Sequence, residues 1–320
     1  MNGYPLVYAV KHRDESVREN SRSGGIFTAI SDYILNHDGI VYGCVLDENF
    51  KAVHVRAMNA ELRNLMRGSK YVQSEIGDTY VQVKQDLETG VHVMFSGTSC
   101  QIDGLLKYLG KKYYNLLCVD IVCHGVPSPK VWDKYLQWQE QRHRAKCVHV
   151  NFRNKVIYGW DAHVETITMQ RPNGKIIVVN SEVFKTLFYR HECIRPACYK
   201  CPYKDIHHPA DITIADYWGI DKAVPGFNDN KGVSLVLINT DQGKHIFDFC
   251  MKDTIAVPCK IEDSMQPPLI KPFDEPSDRK KFWDDFNKRK FAYIAKKYVD
   301  DSKWNQIKKW LRIIKSYFRK

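Results

Sequence analysis

No apolar run in this 320-residue chain reaches the roughly 18 residues that a membrane-crossing helix requires. The segment Met1–Asp14 likewise lacks the apolar stretch of a secretory signal, so the expected location is the cytoplasm. There is no internal repeat and no low-complexity tract. Acidic residues are outnumbered, 37 Asp and Glu against 48 Lys and Arg, which leaves a net charge of +11 and favours anionic partners over cationic ones. Phosphorylated cofactors, lipid headgroups and nucleic acid all fit that charge. No nucleic-acid reading module is present, however, so no nucleic acid is expected. Cysteine is sparse, ten in the whole chain, yet Cys193, Cys198 and Cys201 fall within nine residues.

Hydrophobic residues at 44% and charged residues at 27% are proportions of a globular protein, and the length suits one large domain or two interlocked ones. Short apolar runs at Leu6–Val10, Gly39–Leu46, Ala52–Ala57, Val91–Gly97 and Leu116–Cys123 read as strands. Helical patterns lie between them, after Gly24 and over Thr79–Leu87. From Lys146 the texture becomes β-rich, and Asn173-Gly174 is a hairpin turn signal. A strand and a helix follow from Val233 to Cys250. The fold class is therefore α/β (mixed α+β). The expected parts are an α/β part over 1–145, a β-rich part that includes the cysteine group over 146–267, and a charged, aromatic helical tail over 268–320.

In a reducing compartment a tight cysteine group is read as metal-binding or redox-active before it is read as disulfides. Cys198 and Cys201 have C-x2-C spacing with Pro202 directly after, and His207 and His208 follow at about C-x5-H distance. Spacing alone leaves zinc, an iron-sulfur cluster and unrelated buried thiols open. Two more cysteines lie just past predicted strands, where α/β sheets bind ligands: Cys100 in "FSGTSCQIDGL" and Cys123 in "VDIVCHGVPSP". Cys100 falls in the first turn of a helix, where backbone N–H groups favour the thiolate.

These stretches, with "SRSGGIFTAISDYIL", "LRNLMRGSKYVQS" and "RPACYKCPYKDIHHPADITIADYWGI", resemble the coenzyme F420 hydrogenase/dehydrogenase beta subunit family, including bacterial members linked to surface polysaccharide synthesis. The resemblance spans Tyr8 to Thr240 in five ordered motifs. It implies a flavin, FAD or a relative, and a [4Fe-4S] cluster, with Cys100, Cys123, Cys198 and Cys201 as cluster ligands and Cys193 as a spare thiol. Two departures stand out. No cysteine precedes Cys44, so the two-cluster ferredoxin segment of many relatives is missing, and a separate donor such as a ferredoxin or a reduced cofactor is expected. Ser99 also stands before Cys100 where relatives often carry proline. The deazaflavin of the family name is not among the expected cofactors.

Ser23, Gly24 and Gly25 open a helix whose N-terminus would suit a flavin pyrophosphate. Arg67, Gly68, Ser69, Lys70, Tyr71 and Gln73 add charged and hydrogen-bonding partners, and Ser96, Gly97 and Thr98 could present N–H donors to a flavin edge. Asp216–Gly219 supplies aromatic cover, and His124 is a candidate proton carrier for reduced flavin. At the C-terminus, Ser302–Lys320 places Trp304, Ile307, Trp310, Leu311, Ile314, Tyr317 and Phe318 on one helical face and Lys308, Lys309, Lys315 and Arg319 on the other. That pattern suits either a docked terminal helix or a helix lying on the anionic inner face of a membrane. Taken together, the sequence reads as an iron-sulfur flavoprotein oxidoreductase; the alternative is a non-catalytic zinc-binding or scaffold protein of a glycan-assembly complex.

Overall fold

The structure, a computed structural model, describes residues 3–300. The amphipathic tail Ser302–Lys320 lies outside the described residues. The chain divides into two compact units. The first comprises the described residues up to Val126, with Phe152–His163 and Lys200–Phe273. The second comprises Pro127–Asn151, Val164–Tyr199 and the described residues from Asp274 onward. The stretch 146–267 is thus shared between the two units, and the unit boundary falls inside the C-x2-C pair, between Tyr199 and Lys200.

The strands in chain order are β1 (Leu6–His12), β2 (Ile40–Leu46), β3 (Ala52–Ala57), β4 (Val93–Thr98), β5 (Leu116–Ile121), β6 (Lys146–Asn151), β7 (Glu165–Gln170), β8 (Ile176–Ser181), β9 (Ile212–Asp216), β10 (Ser234–Ile238) and β11 (Thr254–Cys259). In the first unit they form an eight-stranded sheet of order β11-β1-β10-β9-β5-β4-β2-β3. The centre is parallel: β2 pairs β4, β4 pairs β5 and β5 pairs β9 in the same direction. Both flanks are antiparallel. The α/β class expected from the sequence is therefore observed, as a mixed sheet.

Alternation along the central strands sends Leu117 and Val119 to one face and Cys118 to the other, so apolar cores lie on both faces of the sheet. On one face the helices Ile26–Leu35 and Asp241–Cys250 bury Ile30, Ile34, Ile246 and Phe247 against Val41, Met94 and Val236. On the other the helices Thr79–Glu88 and Ser99–Leu109 bury Val83, Leu87, Ile102 and Leu105 against Tyr42, Phe95 and Cys118. β10 is buried at every position, as a strand inside the sheet must be. β11, which carries Pro258, lies at the edge, where a missing N–H costs least.

The second unit holds the antiparallel sheet β6-β7-β8 and the helices Pro129–His143, Val183–Tyr189, Arg279–Lys288 and Phe291–Val299. Its core is aromatic: Phe184 meets Trp132 at 4.8 Å and Tyr135 at 5.5 Å between ring centres, and Tyr135 meets Phe291 at 5.8 Å. Inside it Tyr135 donates to the carboxyl of Glu165, and Gln139 Nε2 donates to Tyr135 at 3.0 Å and to Ser181 at 3.2 Å. Burial pushes the Glu165 carboxyl up to about 8, so it is held protonated near neutrality.

Candidate functional site

The parallel strands of the first unit end on one edge of the sheet, and the cysteines begin there. β4 runs into the helix Ser99–Leu109 through a cap in which Thr98 N–H donates to Gln101 Oε1 at 3.0 Å. Cys100 therefore sits in the first turn, its thiol exposed and 3.2 Å from Thr98 Oγ1. Cys123 follows the end of β5 by two residues, and its carbonyl accepts from Lys204 Nζ. Cys201 precedes Tyr203, whose phenol donates to Asp103 Oδ2 at 2.6 Å. Burial, then Asp103, then the thiols of Cys100 and Cys201 raise that phenol. The segment 201–204, which begins at Cys201, is thus bonded to the helix that carries Cys100 and to the backbone of Cys123.

Cys198 belongs to the second unit, in the tight helical turn Pro196–Lys200. Cys193, also in that unit, is fully buried, and its Sγ donates to Leu187 O at 3.4 Å. Burial and Glu192 push its thiol up to about 12, as for a packing residue. Thiolates at these positions have the donor chemistry of an iron-sulfur cluster. Among the described residues, though, no group of three or more His, Cys, Asp or Glu side chains is arranged to hold a metal ion.

The residues expected around a flavin form two groups. Gly24 is wedged into the sheet: its N–H donates to Ser234 Oγ at 2.9 Å, and a Cβ there would lie 2.1 Å from Val10 O. The close approach that this glycine permits is therefore to its own strands. Ser23 Oγ donates to Val233 O at 2.5 Å, and Gly25, at φ 93°, starts the helix Ile26–Leu35. Arg67 joins this helix, its Nε donating to Thr28 Oγ1 at 3.1 Å. Its guanidinium is partly desolvated and faces the neighbouring charge of Arg63, both of which lower its pKa. Lys70 instead turns back on its own loop, donating to Leu65 O at 2.8 Å and Arg67 O at 2.9 Å, and burial brings it down to about 8. Gly68 has a positive φ of 78°, Ser69 and Gln73 are half-buried, and Tyr71 packs beside His163 at 5.3 Å between ring centres. Ser96 O accepts from His54 Nε2 at 3.1 Å, and Gly97 lies against the Gln101 side chain.

The second group is built round Asp216, at the end of β9. It accepts from Trp160 Nε1 at 3.0 Å and pairs with Arg22 at 3.2 Å and Arg153 at 3.3 Å. Trp160 stacks on Trp218 with ring centres 4.8 Å apart and planes within 8°, and Arg153 lies over Trp218 at 5.1 Å. Arg22 is almost wholly buried, and its Nε and Nη1 have no acceptor among the described residues. Lys155, held by Ser23 O at 3.1 Å and Lys231 O at 2.8 Å, is brought down to about 7 by burial, then by Arg22 and Arg18. Orphaned donors, surplus positive charge and a tryptophan stack fit the phosphate and ring of a flavin nucleotide. Arg22 was not among the residues expected from the sequence, although it directly precedes Ser23. Arg153 and Trp160 carried no local signal.

A second omission is a buried polar cluster at the start of the helix Ser99–Leu109. His208 Nδ1 lies 2.8 Å from Asp120 Oδ2 and 3.1 Å from Ser99 Oγ, with both His208 and Asp120 almost wholly buried. His208 Nε2 and Asp120 Oδ1 lack partners among the described residues. His207, its neighbour in the zinc reading, is exposed beside Asp205 at 3.6 Å. His124 stacks on Phe273 at 4.2 Å between ring centres.

In comparison with known families, residues 91–263, more than half of the chain, fit the family described as the C terminus of the coenzyme F420 hydrogenase/dehydrogenase beta subunit. Among solved structures, the chain is similar in fold to a chain of the F420-reducing [NiFe] hydrogenase complex from Methanosarcina barkeri, studied by xenon derivatization. The TM-score is 0.50 at 20% identity, covering 80% of this chain and 82% of that one. No curated protein sequence matches.

Proposed function

Because the chain belongs to the coenzyme F420 hydrogenase/dehydrogenase beta-subunit family, and is thus a hydrogenase/dehydrogenase beta-subunit-like redox protein, we propose that it is an iron-sulfur flavoprotein oxidoreductase. When bound, FAD or another flavin supplies two-electron chemistry toward a redox substrate and a [4Fe-4S] cluster supplies one-electron steps from a separate donor, a ferredoxin or a reduced cofactor. The observation that carries this reading is the hydrogen bond from Tyr203 to Asp103 at 2.6 Å, which ties the turn of Cys201 to the helix of Cys100, so that cysteines from two distant stretches border one strand-end edge. Cys100, Cys123 and Cys201, with Cys198 three residues before Cys201 in the chain, are the residues that would hold the cluster.

The protein's own share is binding and orientation. Arg22, directly before the Ser23–Gly25 turn, and Arg67, bonded to Thr28 just after it, would meet the flavin phosphates, and Trp218 offers a ring face. His208, held between Asp120 and Ser99, joins His124 as a candidate proton-holding group near the cysteine edge. The setting we propose is surface polysaccharide synthesis, on the likeness of the five motifs to bacterial members of the family.

The test is an absorption spectrum of protein purified without oxygen, taken with iron and zinc analysis. Flavin bands together with a broad iron-sulfur shoulder are expected. Colourless protein holding about one zinc per chain would overturn the reading in favour of a zinc-binding scaffold.

A further inference from the structure

The second unit carries a basic trough that the redox reading does not use. The helix Pro129–His143 ends at Arg144, which adopts a left-handed conformation (φ 49°, ψ 49°) and turns the chain directly into β6. Beside it lies the hairpin from β7 to β8, whose turn is closed by Gly174 N–H donating to Arg171 O at 2.8 Å and Arg171 N–H to Lys175 O at 2.9 Å. Between helix end and hairpin is a hollow of about 750 Å³ lined by Arg144, Lys146 and Arg171 with Gln141 and Gln170. An adjoining hollow of about 570 Å³ shares Arg144 and Arg171 and adds Arg142 and His143. Among the described residues, the one acid lining either hollow, Glu140, is engaged by Lys146 Nζ at 2.9 Å and by Cys147 N–H at 3.0 Å.

Basic residues in the last turn of a helix ordinarily complement its dipole. That accounts for Arg142 and His143 but not for Arg171, which arrives from a different element and lines both hollows. Two guanidinium forks flanking one hollow match the oxygens of a phosphate, and the glutamine amides can pair with hydroxyl groups. The volume is that of a small-molecule site, roughly 300–1,000 Å³. We propose that this trough binds a small phosphorylated, hydroxyl-bearing metabolite, with Arg144 and Arg171 on its phosphate and Gln141 and Gln170 on its hydroxyls.

A built-in reporter exists. His143 is held below its ordinary pKa first by its burial and then by Arg142 and Arg171, so an anion seated on Arg171 raises it. The experiment titrates the full chain with glucose 1-phosphate and, separately, with inorganic phosphate, following heat by calorimetry and the His143 ring by NMR. Saturable binding of glucose 1-phosphate is expected, tighter than that of inorganic phosphate, with a rise in the His143 pKa. Arg171→Gln and Arg144→Gln should each weaken it at least about tenfold, whereas Lys252→Gln, which removes the same charge from an exposed position of the first unit, should not. All three variants should keep their flavin and iron, which separates this site from the redox reading. Arg171 is exposed on a turn, so its variant decides the matter even if Arg144→Gln fails to fold. No saturable binding of either probe, or equal weakening by all three substitutions, overturns the proposal. Equal affinity for the two probes removes the hydroxyl contacts from it.

Discussion

Tyr203 donates its hydroxyl to Asp103 at 2.6 Å, and this bond ties the turn that carries Cys201 to the helix that carries Cys100. The same oxygen of Asp103 accepts from Lys107 at 2.7 Å, one helical turn on. With Lys204 anchored on the carbonyl of Cys123, the 201–204 segment is fastened to both strand-end loops of the first unit.

If the proposed cluster is held by Cys100, Cys123, Cys198 and Cys201, the cysteines divide into two classes. Replacing Cys100, Cys123, Cys198 or Cys201 with Ala should strip iron and lower the melting temperature, because cluster binding is coupled to folding. Cys193→Ala should keep full iron content and show only the modest loss expected from a small buried cavity, about 1–2 kcal/mol. Iron analysis with thermal melts checks this. Full iron in Cys123→Ala with loss in Cys193→Ala would show that Cys193 takes the fourth place.

Arg22 leads to a second expectation. Its Nε and Nη1, without an acceptor among the described residues, sit beside the Ser23–Gly25 turn and within the Asp216 cluster. If they meet a flavin phosphate, Arg22→Gln should weaken flavin binding by roughly ten- to a hundredfold, as charge-assisted hydrogen bonds to phosphate are worth about 1.5–3 kcal/mol. Fluorescence titration of the flavin-stripped protein reads this directly. A lowered melting temperature with unchanged flavin affinity would make Arg22 a structural residue only.

How much of this could be read from the sequence depended on whether the information was local. The parallel strands β2, β4 and β5 and the β6 to β8 hairpins were legible because apolar runs and the Asn173-Gly174 turn declare themselves within a few residues. β9, which takes its place between β5 and β10, was not read, since "ITIAD" is short and ends in a charged residue. Nor could the sequence show that β1 lies between β10 and β11, because pairing of the first strand with nearly the last is set by tertiary packing. The site divides in the same way. Cys100 and Cys123 stood out at strand ends, whereas the meeting of Arg22, Arg153, Trp160 and Asp216 joins residues far apart in the chain. Gly24 was noticed for the right property, close approach, but its neighbour proved to be Val10 O of β1.

The protonated Glu165 inside the second unit sets a pH dependence. Its folded-state pKa, about 8, lies above that of the unfolded carboxyl, about 4.5. Between these values the folded chain holds a proton that the unfolded chain has released, so the stability present below pH 4.5 is lost progressively as pH rises toward 8. The loss is on the order of a few kcal/mol. Glu165→Gln keeps a neutral group of the same shape, so its urea-unfolding midpoint should be flatter over that window, with the variant gaining on the parent at pH 8. Parallel pH profiles for parent and variant would show that Tyr135 and Lys185 keep the carboxylate ionised.

The last expectation concerns Ser302–Lys320. Its aromatic and aliphatic residues recur at intervals of three and four, and Lys308, Lys309, Lys315 and Arg319 fall on the opposite side. On an anionic bilayer each basic residue near the surface contributes up to about 1 kcal/mol, and the tryptophans suit the interface. Co-sedimentation with vesicles rich in anionic lipid should therefore retain the full-length protein at low salt and release it as salt is raised, since the attraction falls off over a Debye length. A chain ending at Asp301 should stay in solution throughout. Neutral vesicles supply the control, because an apolar face alone would hold to them as well. Equal binding by the two chains, or none by either, would return the segment to an ordinary terminal helix.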